Sequence, residues 1–211
     1  MRPELLAPAG SPEALRAAVQ NGADAVYLGW GEFNARRGAK NFDDQEFADA
    51  LVYCHARGVK VFLTMNTLLT DRELPAALKT ATEACRLGID ALIIQDWGLF
   101  DLLRKALPDL PLHASTQMSL MSLGGAQKAA DLGMERVVLS RELTEIAASA
   151  FLDCTELIHL TISDKVTAIG DSAFLNCAKL TLSALPADVE TIGNHAFGSC
   201  AALPATITFS A

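Results

Sequence analysis

VKVFLTMNTLLTDRELPAALKTATEACRLGIDALIIQDWG, residues 59–98, holds one full period of the pattern that decides the fold. An apolar run, Val59-Lys60-Val61-Phe62-Leu63, leads into a polar turn and an amphipathic stretch, then Gly88 and a second apolar run, Ala91-Leu92-Ile93-Ile94. Runs this apolar, without strict alternation, suit parallel strands covered by helices. Outward from this segment the pattern recurs at Glu4-Leu5-Leu6-Ala7, Ala25-Val26-Tyr27-Leu28, Leu112-His113-Ala114 and Arg136-Val137-Val138-Leu139. The spacing therefore predicts six parallel strands alternating with helices.

The helices announce their ends. Ser11-Pro12 sets an N-cap before a first-turn proline, and Asp43 with Glu46 forms a capping box flanked by the apolar pair Phe42 and Phe47. Glycines at 22, 58, 88 and 133 stop four helices shortly before the next strand. Neither G-x-G-x-x-G nor G-x-x-x-x-G-K-[ST] follows the first strand, which removes the best argument for a nucleotide-binding open sheet. The expectation is an α/β fold, an incomplete parallel (βα) TIM-like barrel of about six strands over residues 1–145.

In such barrels function gathers where strands end and βα loops begin. The polar residues there are Gly10, the loop from Phe33 to Phe42, Thr64, Asn66, Gln95, Asp96, the stretch His113 to Met118, Arg141 and Glu142. ELLAPAG, FNARRGAKNF, TMNTLL, ALIIQDWG, LHASTQM and VVLSREL, in that order and spacing, resemble the N-terminal region of the collagenase-like peptidase family U32, from about Leu5 to Leu143. The resemblance implies a peptidase or an enzyme similar to those that hydroxylate transfer RNA, ribosomal RNA or ubiquinone precursors with an iron-sulfur cluster. It also implies that the cluster cysteines would follow Arg141-Glu142-Leu143, a segment this chain lacks. No cofactor and no metal site are therefore expected.

His113 is a candidate general acid or base, since an unperturbed imidazole titrates near neutrality, and equally a hydrogen-bonded core residue of its apolar strand. Asp96 and Glu142, just past strands, can move protons or cap the following helix. These three form the candidate catalytic set. Asn34, Arg36, Asn41, Asn66, Gln117 and Arg141 form the candidate substrate-binding set. Amide and guanidinium groups orient carbonyls and carboxylates, but they also tie loops together. Arg36, Arg37 and Lys40 make a basic loop that reads as a phosphate contact or as a solvated surface. Ser115 and Thr116 lack triad spacing.

After Glu145 the pattern changes to a repeat of period 23, which aligns Ile146, Ile169 and Ile192. It also aligns Phe151, Phe174 and Phe197; Cys154, Cys177 and Cys200; and Leu157, Leu180 and Leu203. A period of about 20 to 29 belongs to leucine-rich repeats. The units from Ile169 to Leu180 and from Ile192 to Leu203 resemble the BspA-like leucine-rich repeat, a family associated with surface proteins that bind other proteins. The tail, residues 146–211, is thus expected to be a short leucine-rich-repeat solenoid with the phenylalanines and cysteines in two inward columns. One cysteine per coil packs as a ladder and does not converge on a metal.

Composition bounds the rest. The chain has 17 basic and 25 acidic residues, and its net charge of −8 makes a nucleic-acid partner unexpected. No apolar run is long enough for a membrane span. The N-terminal residues do not resemble an export signal, so a cytoplasmic location with reduced thiols is expected. Eight strands close a barrel and six precede the repeats, so U32-type activity is expected to be impaired and the open edge available for self-association. The alternatives are a module that binds a protein or peptide partner through the repeat surface, and a non-functional fusion joined near Ile146.

Overall fold

The computed structural model describes residues 4–35, 41–140, 142–182, 184–204 and 206–207. The chain forms two compact units, Glu4–Leu112 and His113 onward. The fold is α/β of the incomplete parallel (βα) barrel type.

In the first unit, β1 (Leu6–Pro8), β2 (Ala25–Leu28), β3 (Lys60–Met65) and β4 (Ala91–Ile94) lie side by side in chain order. All are parallel, with Ala25 opposite Leu6 and Lys60, and Phe62 opposite Ala91. Ala25, Phe62 and Ala91 form one buried cluster with Leu6, Tyr27 and Ile93 against it. Helices α1 (Pro12–Gln20), α2 (Asp44–His55), α3 (Leu74–Leu87) and α4 (Trp97–Ala106) alternate with the strands. They bury Leu15, Phe47, Ala81 and Leu103.

The helix ends form as their sequences specify. Ser11 Oγ accepts from the Ala14 N–H, and Asp43 and Glu46 bond reciprocally as a capping box, with Phe42 and Phe47 buried beside it. Gly88 turns left-handed at φ 101° and donates its N–H to the carbonyls of Ala84 and Cys85. An L side chain resists that conformation, so glycine ends α3 cleanly.

Cys54 on α2 is fully buried, and burial pushes its thiol up to about 11 from an ordinary 9.0. A raised native value stabilises the fold below the unfolded thiol's pKa and loses that contribution as pH rises from about 9 toward 11. Urea midpoints of the wild type should therefore fall across this window more steeply than those of a Cys54→Ala variant. Parallel slopes would count against the shift.

The second unit carries β5 (Leu112–Ala114, shared at its first residue), α5 (Leu123–Asp131), β6 (Arg136–Val138), β7 (Glu145–Ile146), β8 (His159–Thr161), β9 (Ala168–Ile169) and β10 (Thr191–Ile192). Strands β5, β6 and β8 are parallel neighbours, Arg136 lying opposite both His113 and His159. Among the described residues this unit thus has a third parallel neighbour, β8, beyond the expected β5 and β6. That strand comes from the repeat tail.

Strands β7, β9 and β10 make a second, parallel sheet with Ile146, Ile169 and Ile192 in register. Phe151, Phe174 and Phe197 stack at 4.9 and 5.1 Å with ring planes within 9°. The turns of this tail are held by a repeating hydrogen-bond ladder, in which Ser149, Phe151 and Asp153 donate their N–H groups to Asp171, Ala173 and Leu175. Ser172, Phe174 and Asn176 repeat the pattern onto Asn194, Ala196 and Gly198. Each turn has two left-handed residues, Ser149 and Asp153, Ser172 and Asn176, His195 and Ser199. Asp and Asn are among the residues that tolerate this region best.

Candidate functional site

The described strand-end residues of the first unit knit into one network around the end of β2. Gly29 sits where an added Cβ would lie 2.8 Å from Asn41 Oδ1 and 2.9 Å from Asn34 Cγ, so only glycine lets both amides close in. Asn34 and Asn41 each donate a side-chain N–H to the Gly31 carbonyl at 3.2 Å. Asn34 is buried. Asn66 at the end of β3 accepts from the Ala35 N–H at 3.1 Å, and the Thr64 hydroxyl donates to the Leu28 carbonyl at 2.9 Å. Trp30 anchors the same loop by stacking on Phe47 at 4.5 Å and donating its indole N–H to Asp44 at 2.9 Å.

Asp96 follows β4. One carboxylate oxygen accepts from the Leu99 N–H at 2.9 Å as the N-cap of α4; the other accepts from the Leu69 N–H at 3.2 Å in the loop after β3. It fastens two strand-end loops together. The structure therefore brings Asn34, Asn41 and Asn66 into one amide cluster, with Asp96 bound three residues beyond Asn66.

The remaining candidates lie in the second unit. His113 is buried within β5. Gln117 occupies the short turn Thr116–Met118, where its backbone N–H donates to the Ser115 hydroxyl. Glu142 accepts a short hydrogen bond from the Ser140 hydroxyl, and Ser140 itself is buried. Arg36 and Arg141, with Arg37 and Lys40, lie outside the described residues.

Sequence reasoning missed Gly29, Trp30, Asp44 and Ser140. Only the clustering of Gly29, Gly31 and Trp30 just after an apolar run hinted at a tightly folded loop. Chemically, the first-unit cluster offers neutral amide donors and acceptors, which orient carbonyl and amide groups but transfer no protons near neutral pH. Among the described residues no group of three or more His, Cys, Asp or Glu converges as a metal site. No described helix is long and apolar enough to cross a membrane.

Two family models match this chain. That of peptidase family U32 matches residues 10–155, and that of the BspA type leucine rich repeat region, in 6 copies, matches residues 130–210. The chain is 41% identical over 142 residues to a 23S rRNA 5-hydroxycytidine synthase of Escherichia coli, covering 67% of this chain and 21% of that protein. It is 32% identical over 160 residues to a collagenase of Porphyromonas gingivalis, covering 75% of this chain and 36% of the collagenase. It therefore spans only a fifth to about a third of these relatives' lengths. The solved structure of the U32 peptidase Mk0906 superposes with a TM-score of 0.57 at 18% identity, covering 69% of this chain and 61% of that one, a likeness of fold.

Proposed function

Because the chain belongs to peptidase family U32, we propose that it is a substrate-binding module of that family with impaired chemistry. Asn41 and Asn66, the partly exposed amides of the strand-end cluster, hold a peptide-type substrate through carbonyl and amide groups, and buried Asn34 positions their loop. The observation that carries this reading is the commitment of both Asp96 carboxylate oxygens to backbone N–H groups, which leaves this residue as a fastener of loops. The net charge of −8 favours a peptide over a polyanionic RNA.

A gelatin-cleavage assay tests the proposal. Cleavage should stay near background and be unchanged by Asp96→Asn or His113→Ala, whereas robust cleavage abolished by either would overturn it. Stability supplies the second readout. Asp96→Ala should cost about 2 kcal/mol in urea unfolding, because a lost N-cap costs about 1 and a lost charge-assisted bond about as much again. Asp96→Asn, still a good N-cap, should recover at least half of that loss.

The proposal extends to the cofactor. An iron-sulfur cluster of the kind the family resemblance implies needs four thiolates. The first unit has two cysteines, Cys54 and Cys85, and the second has three, Cys154, Cys177 and Cys200. Iron and acid-labile sulfide should therefore be absent after anaerobic purification, and stoichiometric amounts of both would refute this part. Protein contacts through the repeat surface and self-association through an open strand edge complete the reading. Sedimentation that stays monomeric at all concentrations would remove the latter.

A further inference from the structure

We propose that Leu68 and Trp97 form a side-chain subsite beside the strand-end amide cluster, seating one large apolar side chain, of the leucine or phenylalanine kind, of the bound peptide. The inference deepens the peptide-binding reading of Asn41 and Asn66 and rests on it.

Strand register brings the two residues to one place. Strands β3 and β4 leave the sheet at the same level, Met65 opposite Ile94, and neighbouring strands run about 4.8 Å apart. Leu68 and Trp97 each stand three residues further on. The two chains stay joined there, because the N–H of Leu69, next to Leu68, donates at 3.2 Å to the carboxylate of Asp96, next to Trp97. Two apolar side chains thus top adjacent strands at the end that carries Asn66.

Both lie open to water, Leu68 at 72% and Trp97 at 43%. A single exposed apolar residue is ordinary, but a pair at one strand end, beside amides able to orient a ligand, marks a binding surface. Trp97 meets the buried Phe100 edge-on at 5.6 Å, a contact that orients the indole and leaves much of it uncovered. At Gly98 an added Cβ would come within 3.4 Å of the Leu74 side chain, so this glycine lets α3 bring a third apolar group close to the start of α4.

The residue between Asn66 and Leu68 points to a ligand independently. The Thr67 hydroxyl is buried and has no hydrogen-bond partner among the described residues. A polar group inside and an apolar group outside, at adjacent positions, reverse what water favours. A peptide laid over this segment answers both, covering Leu68 and bringing backbone N–H and C=O groups to Thr67 as the segment adjusts. A nucleobase also stacks on an exposed indole, but it brings phosphates to a chain of net charge −8.

Isothermal titration calorimetry of the full chain with two blocked pentapeptides tests the inference. Both are glycine except at the centre, where one carries phenylalanine and the other serine. The phenylalanine peptide should bind about tenfold more tightly, the gain from partly covering one large apolar side chain. Leu68→Ser and Trp97→Ser should each cut that ratio to about threefold, and the double variant to about one. Both side chains are exposed, so these variants keep the fold. Val52→Ser, which alters an equally exposed residue on α2, should leave the ratio unchanged. Asn66→Ala should weaken both peptides alike and keep the ratio, because it removes a backbone contact. Equal affinity of the wild type for the two peptides overturns the subsite and leaves the peptide-binding reading standing, whereas binding of neither overturns both. A ratio that survives the double variant also overturns the subsite. So does an oligouridylate that binds more tightly than either peptide and loses that affinity in Trp97→Ser.

Discussion

Phe174→Ala should remove about 4 kcal/mol of stability, the loss being local to the repeat tail. The ring is fully buried and sandwiched, with Phe151 at 4.9 Å on one side and Phe197 at 5.1 Å on the other. Truncating a buried phenylalanine costs about 3–5 kcal/mol in lost transfer energy and cavity, and each stacked partner adds about 0.5–1.5. The cavity should collapse poorly, because the backbone on both sides is fixed by the Phe151-to-Ala173 and Phe174-to-Ala196 hydrogen bonds. Urea unfolding followed by circular dichroism gives the magnitude, and amide exchange over residues 146–203 gives the location. Phe197→Ala is the internal comparison. With a half-buried ring and one stacked partner, it should cost clearly less. Equal losses, or a Phe174 loss below about 1 kcal/mol, would mean that the column is not the tail's core.

Gly170→Ala should rival that loss through overpacking. An added Cβ would stand 2.4 Å from Ala148 N, 2.7 Å from Ala148 Cα and 2.8 Å from the Ala147 carbonyl carbon. These are backbone atoms of the preceding turn. A clashing side chain rotates away, but here relief requires the turns to part, breaking bonds such as Gly170 N–H to the Ile146 carbonyl. Overpacking costs about 1–3 kcal/mol where side chains give way, so about 3 is expected where they cannot. Gly193 repeats the geometry one turn later, its Cβ position 2.4 Å from Asp171 N. Gly124→Ala is the control. It meets nothing within 4 Å on α5, and alanine there should be neutral or stabilising by up to about 1 kcal/mol. Thermal melts of the three variants decide the point, and a Gly170→Ala melting temperature at or above wild type would show that the turns are not packed at this distance.

By itself the sequence determined the features whose information is local. Apolar runs such as Val59 to Leu63 became strands because no alternation left them a solvent face. Ser11, Asp43 and Gly88 set helix ends because a cap is satisfied within three or four residues. The period of 23 foretold the phenylalanine column because identical turns stack identical positions. The tertiary structure alone decided matters that depend on partners far along the chain. His159–Thr161, read as part of the repeats, joined β6 as a further parallel strand, since a strand's neighbour is chosen by unpaired N–H and C=O groups that no local pattern encodes. Asp96 could have been a base or a cap on sequence grounds. It became a fastener because Leu69, 27 positions away, brought a second N–H to its free oxygen. Asn34 and Asn41 were legible as polar loop residues. Their convergence on the one carbonyl of Gly31 required the chain to fold over Gly29, where the missing Cβ made the space.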